Sequence, residues 1–324
     1  MTGPHIGIVG AGAFGTALAV TLAREGRSVS LWSRDAEQVV VMQKTRENPS
    51  RLPGVRLAEN VSVTAEIGDL KTVDTVLLTL PMQALRGFVL GPGRQLGGLS
   101  LVACCKGVDL VTLTGPSAIL AAAASSSPHA VLTGPSFAVD IARGLPTALT
   151  LACADETLGK ALQRLISTPT LRIYLTDDLT GAELGGALKN VIAIAAGIVI
   201  GAGLGDSARA ALMTRGYAEM TRLALALGAR PETLGGLSGL GDLVLTCTSA
   251  QSRNFRYGLA LGSGESFDPS ITVEGAATAK AVSDLAEKRG IDLPVTTMVA
   301  ALISGEVDLS GAIHALLSRP LKKE

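Results

Sequence analysis

His5-Ile6-Gly7-Ile8-Val9-Gly10-Ala11-Gly12-Ala13-Phe14-Gly15 is the stretch whose reading decides the fold. A short apolar run enters a glycine-rich turn, and residues 16–24 then carry helix-forming side chains with apolar spacing. A second apolar run, residues 29–32, completes a strand–turn–helix–strand unit. The glycines stand at G-x-G-x-x-G spacing and have separate tasks. Gly10 permits the tight turn, Gly12 lets the backbone approach a pyrophosphate, and Gly15 lets helix and strand pack closely. The helix opened by the loop offers N–H groups and partial positive charge to that anion. A bare G-x-G-x-x-G is weak evidence. The strand before it and the helix after it favour a dinucleotide-binding turn over a glycine turn that binds nothing.

Further strands are expected at residues 73–80, ended by Pro81, and at residues 101–105, ended by Lys106-Gly107. Residues 130–133 end at Gly134-Pro135, and residues 147–152 and 172–174 are weaker candidates. Several of these are continuous apolar runs, the pattern of strands covered on both faces of a mostly parallel sheet. With helices between them they make a doubly wound α/β domain. Past about Asp178 the chain becomes rich in alanine and leucine, with helical periodicity and no convincing strand. The expected organisation is a dinucleotide-binding Rossmann-type domain over residues 1–178 and an all-helical substrate domain over residues 179–324. The most apolar stretch, residues 191–205, is interrupted by glycines and is shorter than a membrane span. It is expected to be a buried helix that Lys189 opens.

Of 324 residues, 47% are hydrophobic and 17% charged, which excludes a disordered chain. With 28 basic and 28 acidic residues there is no electrostatic case for nucleic acid or an anionic membrane as a partner. A local basic pocket for a small anion stays open. Cys104, Cys105, Cys153 and Cys247 form no C-x-x-C pair, and His5, His129 and His314 form no cluster. Buried thiols in a reducing cytoplasm and no metal site are expected. The N-terminus enters a strand almost at once and reads as no signal peptide, and residues 319–324 form a short charged tail.

The end of the second strand reads Trp32-Ser33-Arg34-Asp35. Arg34 can lie along an adenine, meet a 2′-phosphate, or stand in solvent, while Asp35 falls late for a ribose. NADP is the expected cofactor, with NAD accepted too. Reducing a ketone by hydride transfer develops negative charge on oxygen, which a cation or proton donor must meet. Lys106 sits at the carboxyl end of a strand, where open α/β sheets bind ligands. Lys189 lies in Gly186-Ala187-Leu188-Lys189-Asn190-Val191-Ile192, and a lysine in apolar surroundings has its charged form disfavoured. Either lysine, alone, reads equally as a snorkelling surface residue. Four glycines between Gly235 and Gly241 demand a special backbone path. Asp242 is the sole charge in that apolar stretch and can also be a helix N-cap. Ser252-Arg253-Asn254 opens a helix through Leu261, with Ser252 as N-cap. Arginine fork, amide and helix N-terminus together make a phosphate pocket, although Arg253 alone reads as a surface charge. Ser136, in Gly134-Pro135-Ser136-Phe137-Ala138, can cap a helix or touch a substrate.

Together these motifs resemble the bacterial NAD(P)-dependent glycerol-3-phosphate dehydrogenases. The matching segments are residues 10–19, 47–54, 83–85, 106–107, 134–147, 187–190, 205–212, 237–248, 252–254 and 273–275, in order over nearly the whole chain. The resemblance implies a Rossmann domain and a helical C-terminal domain. It also implies reversible reduction of dihydroxyacetone phosphate to sn-glycerol 3-phosphate, feeding glycerophospholipid synthesis, by a cytoplasmic homodimer. Lys189 matches the family's acid/base lysine and Lys106 the lysine between cofactor and substrate. Gly134, Ser136, Asp242, Ser252, Arg253 and Asn254 match substrate-contacting positions. Ala13, Phe14, Arg34, Ala138, Arg253, Thr272 and Glu274 match cofactor-contacting positions. The chain departs from the pattern at Phe14, Ile200, Ser207 and Thr272, and the changes at Ile200 and Ser207 leave the conformation of the loop after Lys189 open. Two rival readings remain at this level: a two-domain dehydrogenase of hydroxy acids without the phosphate pocket, and a non-catalytic NADPH sensor.

Overall fold

The computed structural model describes residues 4–317, so the charged tail at residues 319–324 lies outside the described residues. The chain divides into two compact units, one of residues 1–106 and 114–183, the other of residues 107–113 and 184–324.

The first unit is built on an eight-stranded sheet. In chain order its elements are β1 (His5–Val9), α1 (Ala13–Arg24), β2 (Ser28–Trp32), α2 (Ala36–Thr45), β3 (Glu47–Asn48), β4 (Leu52–Arg56), β5 (Val61–Thr64) and β6 (Thr75–Leu78). There follow α3 (Met82–Leu90), β7 (Ser100–Ala103), α4 (Pro116–Ala123), β8 (His129–Thr133), α5 (Ala138–Arg143), β9 (Thr147–Ala152), α6 (Glu156–Ile166) and β10 (Leu171–Thr176). The sheet order is β10-β9-β8-β7-β6-β1-β2-β5, parallel except where β8 meets β9. Its strands show why apolar runs are continuous: alternate side chains serve opposite faces. Ile6, Ile8, Leu77, Val102 and Leu132 enter one core, and Val9, Val76, Leu78, Leu101, Ala103 and Val131 another. Each such fully buried Ile or Leu contributes about 1.5–3 kcal/mol. The carboxyl ends of parallel β1, β7 and β8 share one sheet edge, so Gly10, Lys106 and Gly134 follow strands that end on the same side.

Three strands were not expected from sequence. β5 alternates over four residues and pairs with β2 through Val61 opposite Val29. β3 and β4 form a small antiparallel pair in which Pro53-Gly54 lies inside β4, a composition that reads as turn.

The second unit is all-helical among the described residues. Its elements are α7 (Leu179–Gly201, begun in the first unit), α8 (Gly205–Ala226), α9 (Pro231–Gly235), α10 (Asp242–Thr248), α11 (Arg253–Ser263), α12 (Glu274–Arg289), α13 (Pro294–Ser304) and α14 (Leu309–Leu317). The apolar stretch is a buried helix only as far as Gly201, with Gly203, Leu204 and Gly205 exposed beyond it, and the helix starts at Leu179, so Lys189 lies inside α7 rather than at its opening. The 23-residue helix is long and apolar enough to cross a membrane by length and composition; 89% of its most apolar window is buried within the protein. Residues 237–241 form one π-helical turn between α9 and α10, the special path that the glycines demanded.

Helix α7 meets its neighbours backbone to backbone. A Cβ on Gly197 would overlap the Phe255 carbonyl oxygen, and one on Gly201 the Leu259 carbonyl oxygen. From the other side, a Cβ on Gly258 or Gly262 would overlap the carbonyl oxygens of Ile194 and Ile198. Alanine is the better helix former by about 1 kcal/mol, so propensity and packing oppose each other here. Packing wins, because backbone cannot move aside. Gly258→Ala is expected to lower stability by about 1–3 kcal/mol, while Gly87→Ala in α3, where a Cβ meets open space, is expected to raise it slightly. Urea denaturation midpoints check the pair, and a neutral Gly258→Ala overturns the packing argument.

Candidate functional site

The glycine loop has the geometry its sequence suggested. Gly10 has φ +108°, a conformation open to glycine, and a Cβ there would lie 3.0 Å from the Thr79 carbonyl oxygen. Gly12 is the N-cap of α1, and a Cβ on it would meet open space, which leaves its backbone approachable. Gly15 packs so closely that a Cβ would overlap the Gly10 carbonyl oxygen, so it tightens the helix onto the turn rather than onto the strand itself. Ala13 and Phe14 form the first turn of α1, which carries no acidic residue. An open approach above a helix N-terminus without acids fits a pyrophosphate.

Residues that sequence reasoning did not select brace this loop. The Thr79 hydroxyl donates to the carbonyl oxygens of Val9 and Gly10 at 3.0 and 2.8 Å. The amides of Gln38 and buried Asn48 both donate to the Ala11 carbonyl at 2.9 Å, and Asn48 also donates to the Thr16 hydroxyl. Only their fold neighbours reveal them, since none adjoins the motif in sequence. At the end of β2, the Asp35 carboxylate accepts the Gln38 N–H as the N-cap of α2, while Arg34 is exposed.

Lys106 follows β7 and donates from Nζ to the Gly134 carbonyl oxygen at 2.9 Å. The Ser136 hydroxyl donates to that same oxygen at 3.2 Å. Ser136 does not cap α5: Phe137 holds the N-cap position, without a side-chain bond, and Ala138 opens the helix. Gly134 has φ +131°, and a Cβ there would lie 3.2 Å from the Leu149 Cα, so glycine is required where the two side chains converge.

In the second unit, Lys189 is buried and donates from Nζ to Asp242 Oδ1 and to the Thr246 hydroxyl, each at 2.7 Å. Thr246 donates in turn to Asp242 Oδ1 at 3.3 Å. Asp242 is therefore no N-cap; Gly241 precedes it in helical conformation. Thr246 escaped sequence reasoning, although its i,i+4 spacing from Asp242 puts both on one face of α10. The π turn delivers α10 to α7, for a Cβ on Gly185 would sit 2.6 Å from the Ser238 carbonyl oxygen. Cys247, beside this cluster, is fully buried and its thiol is pushed up to about 12 by burial, with Lys189 pulling the other way. Cys104 is pushed to about 12 for the same reason. Neither is a thiolate nucleophile at neutral pH. Among the described residues no three His, Cys, Asp or Glu side chains cluster as metal ligands.

Ser252 caps α11, its hydroxyl accepting the Phe255 N–H at 3.2 Å. Arg253 is the first residue of α11 and is exposed. Asn254 is buried: its amide donates to Asn190 Oδ1 and its Oδ1 accepts the Gly275 N–H, each at 2.9 Å. It thus ties the start of α11 to α7 and to the start of α12, where Thr272 is exposed and Glu274 half-buried.

Removing one member of a buried ion pair leaves an uncompensated charge and costs about 3–5 kcal/mol. Asp242→Asn is expected to lose stability on that scale, and adding Lys189→Met to recover most of it. Denaturation midpoints of the single and double variants check the cycle; additive losses would sink the pairing.

Sequence comparison matches the NAD-dependent glycerol-3-phosphate dehydrogenase N-terminus to residues 5–159 and its C-terminus to residues 178–314. The glycerol-3-phosphate dehydrogenase [NAD(P)+] of Cereibacter sphaeroides is 65% identical over 98% of this chain and 100% of its own length. That of Paracoccus denitrificans is 63% identical over 98% and 99%. The crystal structure of glycerol-3-phosphate dehydrogenase from Coxiella burnetii superposes with a TM-score of 0.93 at 37% identity, covering 98% of this chain and all of that one. The dinucleotide turn, the buried Lys189 and the glycine-packed helices thus stand in a chain that belongs to the NAD-dependent glycerol-3-phosphate dehydrogenase family.

Proposed function

We propose that this chain catalyses the reversible reduction of dihydroxyacetone phosphate to sn-glycerol 3-phosphate, with NADPH or NADH as reductant. The observation that carries the reading is the buried Lys189–Asp242–Thr246 cluster on apolar α7 and α10, set in a chain whose relatives bear that enzyme's name. A buried ammonium with fixed acceptors is a directed proton donor, which a solvated surface lysine is not.

The nicotinamide cofactor, when bound, supplies the hydride. Gly10, Gly12, Ala13, Phe14 and Gly15 would hold its pyrophosphate, and Arg34, exposed at the end of β2, would be available to its adenosine end. Lys189 gives a proton to the substrate carbonyl oxygen as charge develops there, and takes it back from the hydroxyl in the reverse direction. Asp242 and Thr246 fix the direction of the Lys189 ammonium by accepting two of its N–H bonds. Arg253 and the N-terminus of α11 take the substrate phosphate. Ser252 sets where that helix starts, and Asn254 holds it against α7. Lys106 and Ser136, gathered on the Gly134 carbonyl, add positive charge and a hydroxyl for the substrate. Supply of glycerophospholipid synthesis, a homodimeric state and a cytoplasmic location complete the reading, and rest on the family resemblance.

Oxidation of NADPH, followed by absorbance with dihydroxyacetone phosphate and with an unphosphorylated ketone, tests it. Preference for the phosphorylated ketone is expected; equal rates favour a hydroxy-acid dehydrogenase, and no turnover favours a sensor. Lys189→Ala is expected to reduce kcat by about 10²-fold or more with cofactor affinity little changed. Arg253→Ala is expected chiefly to raise KM for the phosphorylated substrate. Near-normal turnover of Lys189→Ala would overturn the assignment.

A further inference from the structure

Glu183 is a half-buried carboxyl group that the proposed reaction leaves unused. It lies in the second turn of α7, and its Oε1 accepts the Ser117 N–H at 2.6 Å, with the Ser117 side chain as a second hydrogen-bond partner. Ser117 belongs to the first turn of α4, a helix that cannot cap itself: its N-cap is Gly115, followed by Pro116. Glu183 supplies the missing acceptor from another helix, where a carboxylate also suits the helix dipole. The fit is close, since a Cβ on Gly115 would overlap Oε2 of Glu183.

Position gives this contact its reach. Gly115 ends the connection that begins at Lys106, and Lys189 stands six residues beyond Glu183 on the same unbroken helix, about 9 Å along its axis. We propose that Glu183 is a positioning residue for the reaction: in its ionised form it clamps the start of α4 to α7, in its protonated form the clamp slackens, and the difference is felt at Lys189. The proposal rests on the activity proposed above.

Burial pushes the carboxyl up to about 7, against the pull of the two Ser117 bonds. Helix α4 carries no titratable side chain; the other charged residue of α7 is Lys189, paired with Asp242, and the start of α7 is capped by the Asp178 carboxylate, which accepts the Gly181 N–H at 2.8 Å. Glu219 is the instructive contrast. It caps α13 in the same manner, through the N–H groups of Val295 and Thr296, and is also raised by burial, but Arg222 favours its charge. Since the value for Glu183 in the folded chain lies above its ordinary 4.5, the folded protein holds this proton more tightly than the unfolded chain. Stability from this group is full below about pH 4.5 and is lost as pH rises through about 7.

Glu183→Gln keeps an acceptor for the Ser117 N–H but fixes the neutral state. Wild type and variant are compared between about pH 6 and pH 8. The expected result has two opposed signs. The variant lacks the rise of kcat near neutrality and at pH 8 turns over about 3- to 10-fold more slowly, with KM for NADPH unchanged. Its melting temperature gains on wild type as pH rises. Ser117→Ala, which keeps the backbone donor, is expected to move the wild-type kcat transition to higher pH. A variant with the wild-type kcat–pH profile overturns the proposal. So does a loss of kcat with parallel losses of cofactor affinity and stability at every pH, the mark of a merely structural residue. If wild type does not turn over dihydroxyacetone phosphate at all, the activity reading fails and the positioning role with it. The pH-dependent difference in melting temperature would still report the buried charge, so the two failures are told apart.

Discussion

The approach of α7 to its neighbours is the constraint on which the second unit depends. Gly197 and Gly201 on α7 face Gly258 and Gly262 on α11, each pair spaced by four so that both lie on one helix face. With no Cβ at the crossing, the two backbones meet at carbonyl oxygens that any added Cβ would overlap. The same device recurs around α7. Gly216 of α8 packs against Ile192, a Cβ on Gly275 of α12 would sit 2.6 Å from the Asn190 carbonyl oxygen, and Gly185 admits the π turn. Each glycine costs helix propensity, and together they let short polar side chains reach across. Asn254 can bond Asn190, and Asp242 and Thr246 can bond Lys189, because the backbones carrying them stand so close.

A helix this apolar tolerates charge only where every charge is answered. Lys189 has Asp242 and Thr246, and Glu183 has Ser117. The two capping glutamates solve one recurrent problem. Helices α4 and α13 each start with proline after a residue without a capping side chain, Gly115 and Leu293. Their first N–H groups would be left unpaired in the interior, at about 1–3 kcal/mol each. Glu183 and Glu219 reach in from other helices to accept them. Proline sets φ for the first turn and removes one donor, and the distant carboxylate satisfies those that remain.

This also explains what the sequence discloses and what it withholds. The β1–α1–β2 unit is legible because its signal is local: an apolar run, a glycine turn and a helix within about 30 residues. The two-sided sheet is legible because burial on both faces makes strands continuously apolar. The β3–β4 pair is not, since Pro53-Gly54 carries a turn signature and the pairing that overrides it lies across the chain. Thr246 went unselected because a threonine among Leu, Val and Cys reads as a helix filler until Lys189, 57 residues away, is seen to need a second acceptor. The capping glutamates are invisible for the same reason, 66 residues separating Ser117 from Glu183. Ser136 stood open to two readings, a helix cap or a substrate contact, and its hydroxyl turns back to Gly134 instead of capping.

The loop after Lys189 shows the local signal prevailing where unusual side chains cast doubt. Ile200 and Ser207, read as departures from the resemblance, left the path after α7 open. The path is set instead by backbone. Gly203, with φ +73°, donates its N–H to the Ile200 carbonyl at 3.0 Å, and Leu204 donates to the Val199 carbonyl at 3.0 Å. These are the paired bonds of a Schellman terminus, which requires a left-handed residue at that position and places no demand on the side chain at Ile200. Ile200 is half-buried and joins the apolar core around α7, and Ser207 is exposed in the first turn of α8. An acidic residue at position 200 would face partial burial against that core and need a partner, as Glu183 and Glu219 do; isoleucine needs none. The departure therefore alters what packs on the end of α7 and leaves the turn, and the helix that carries Lys189, where the glycines put them.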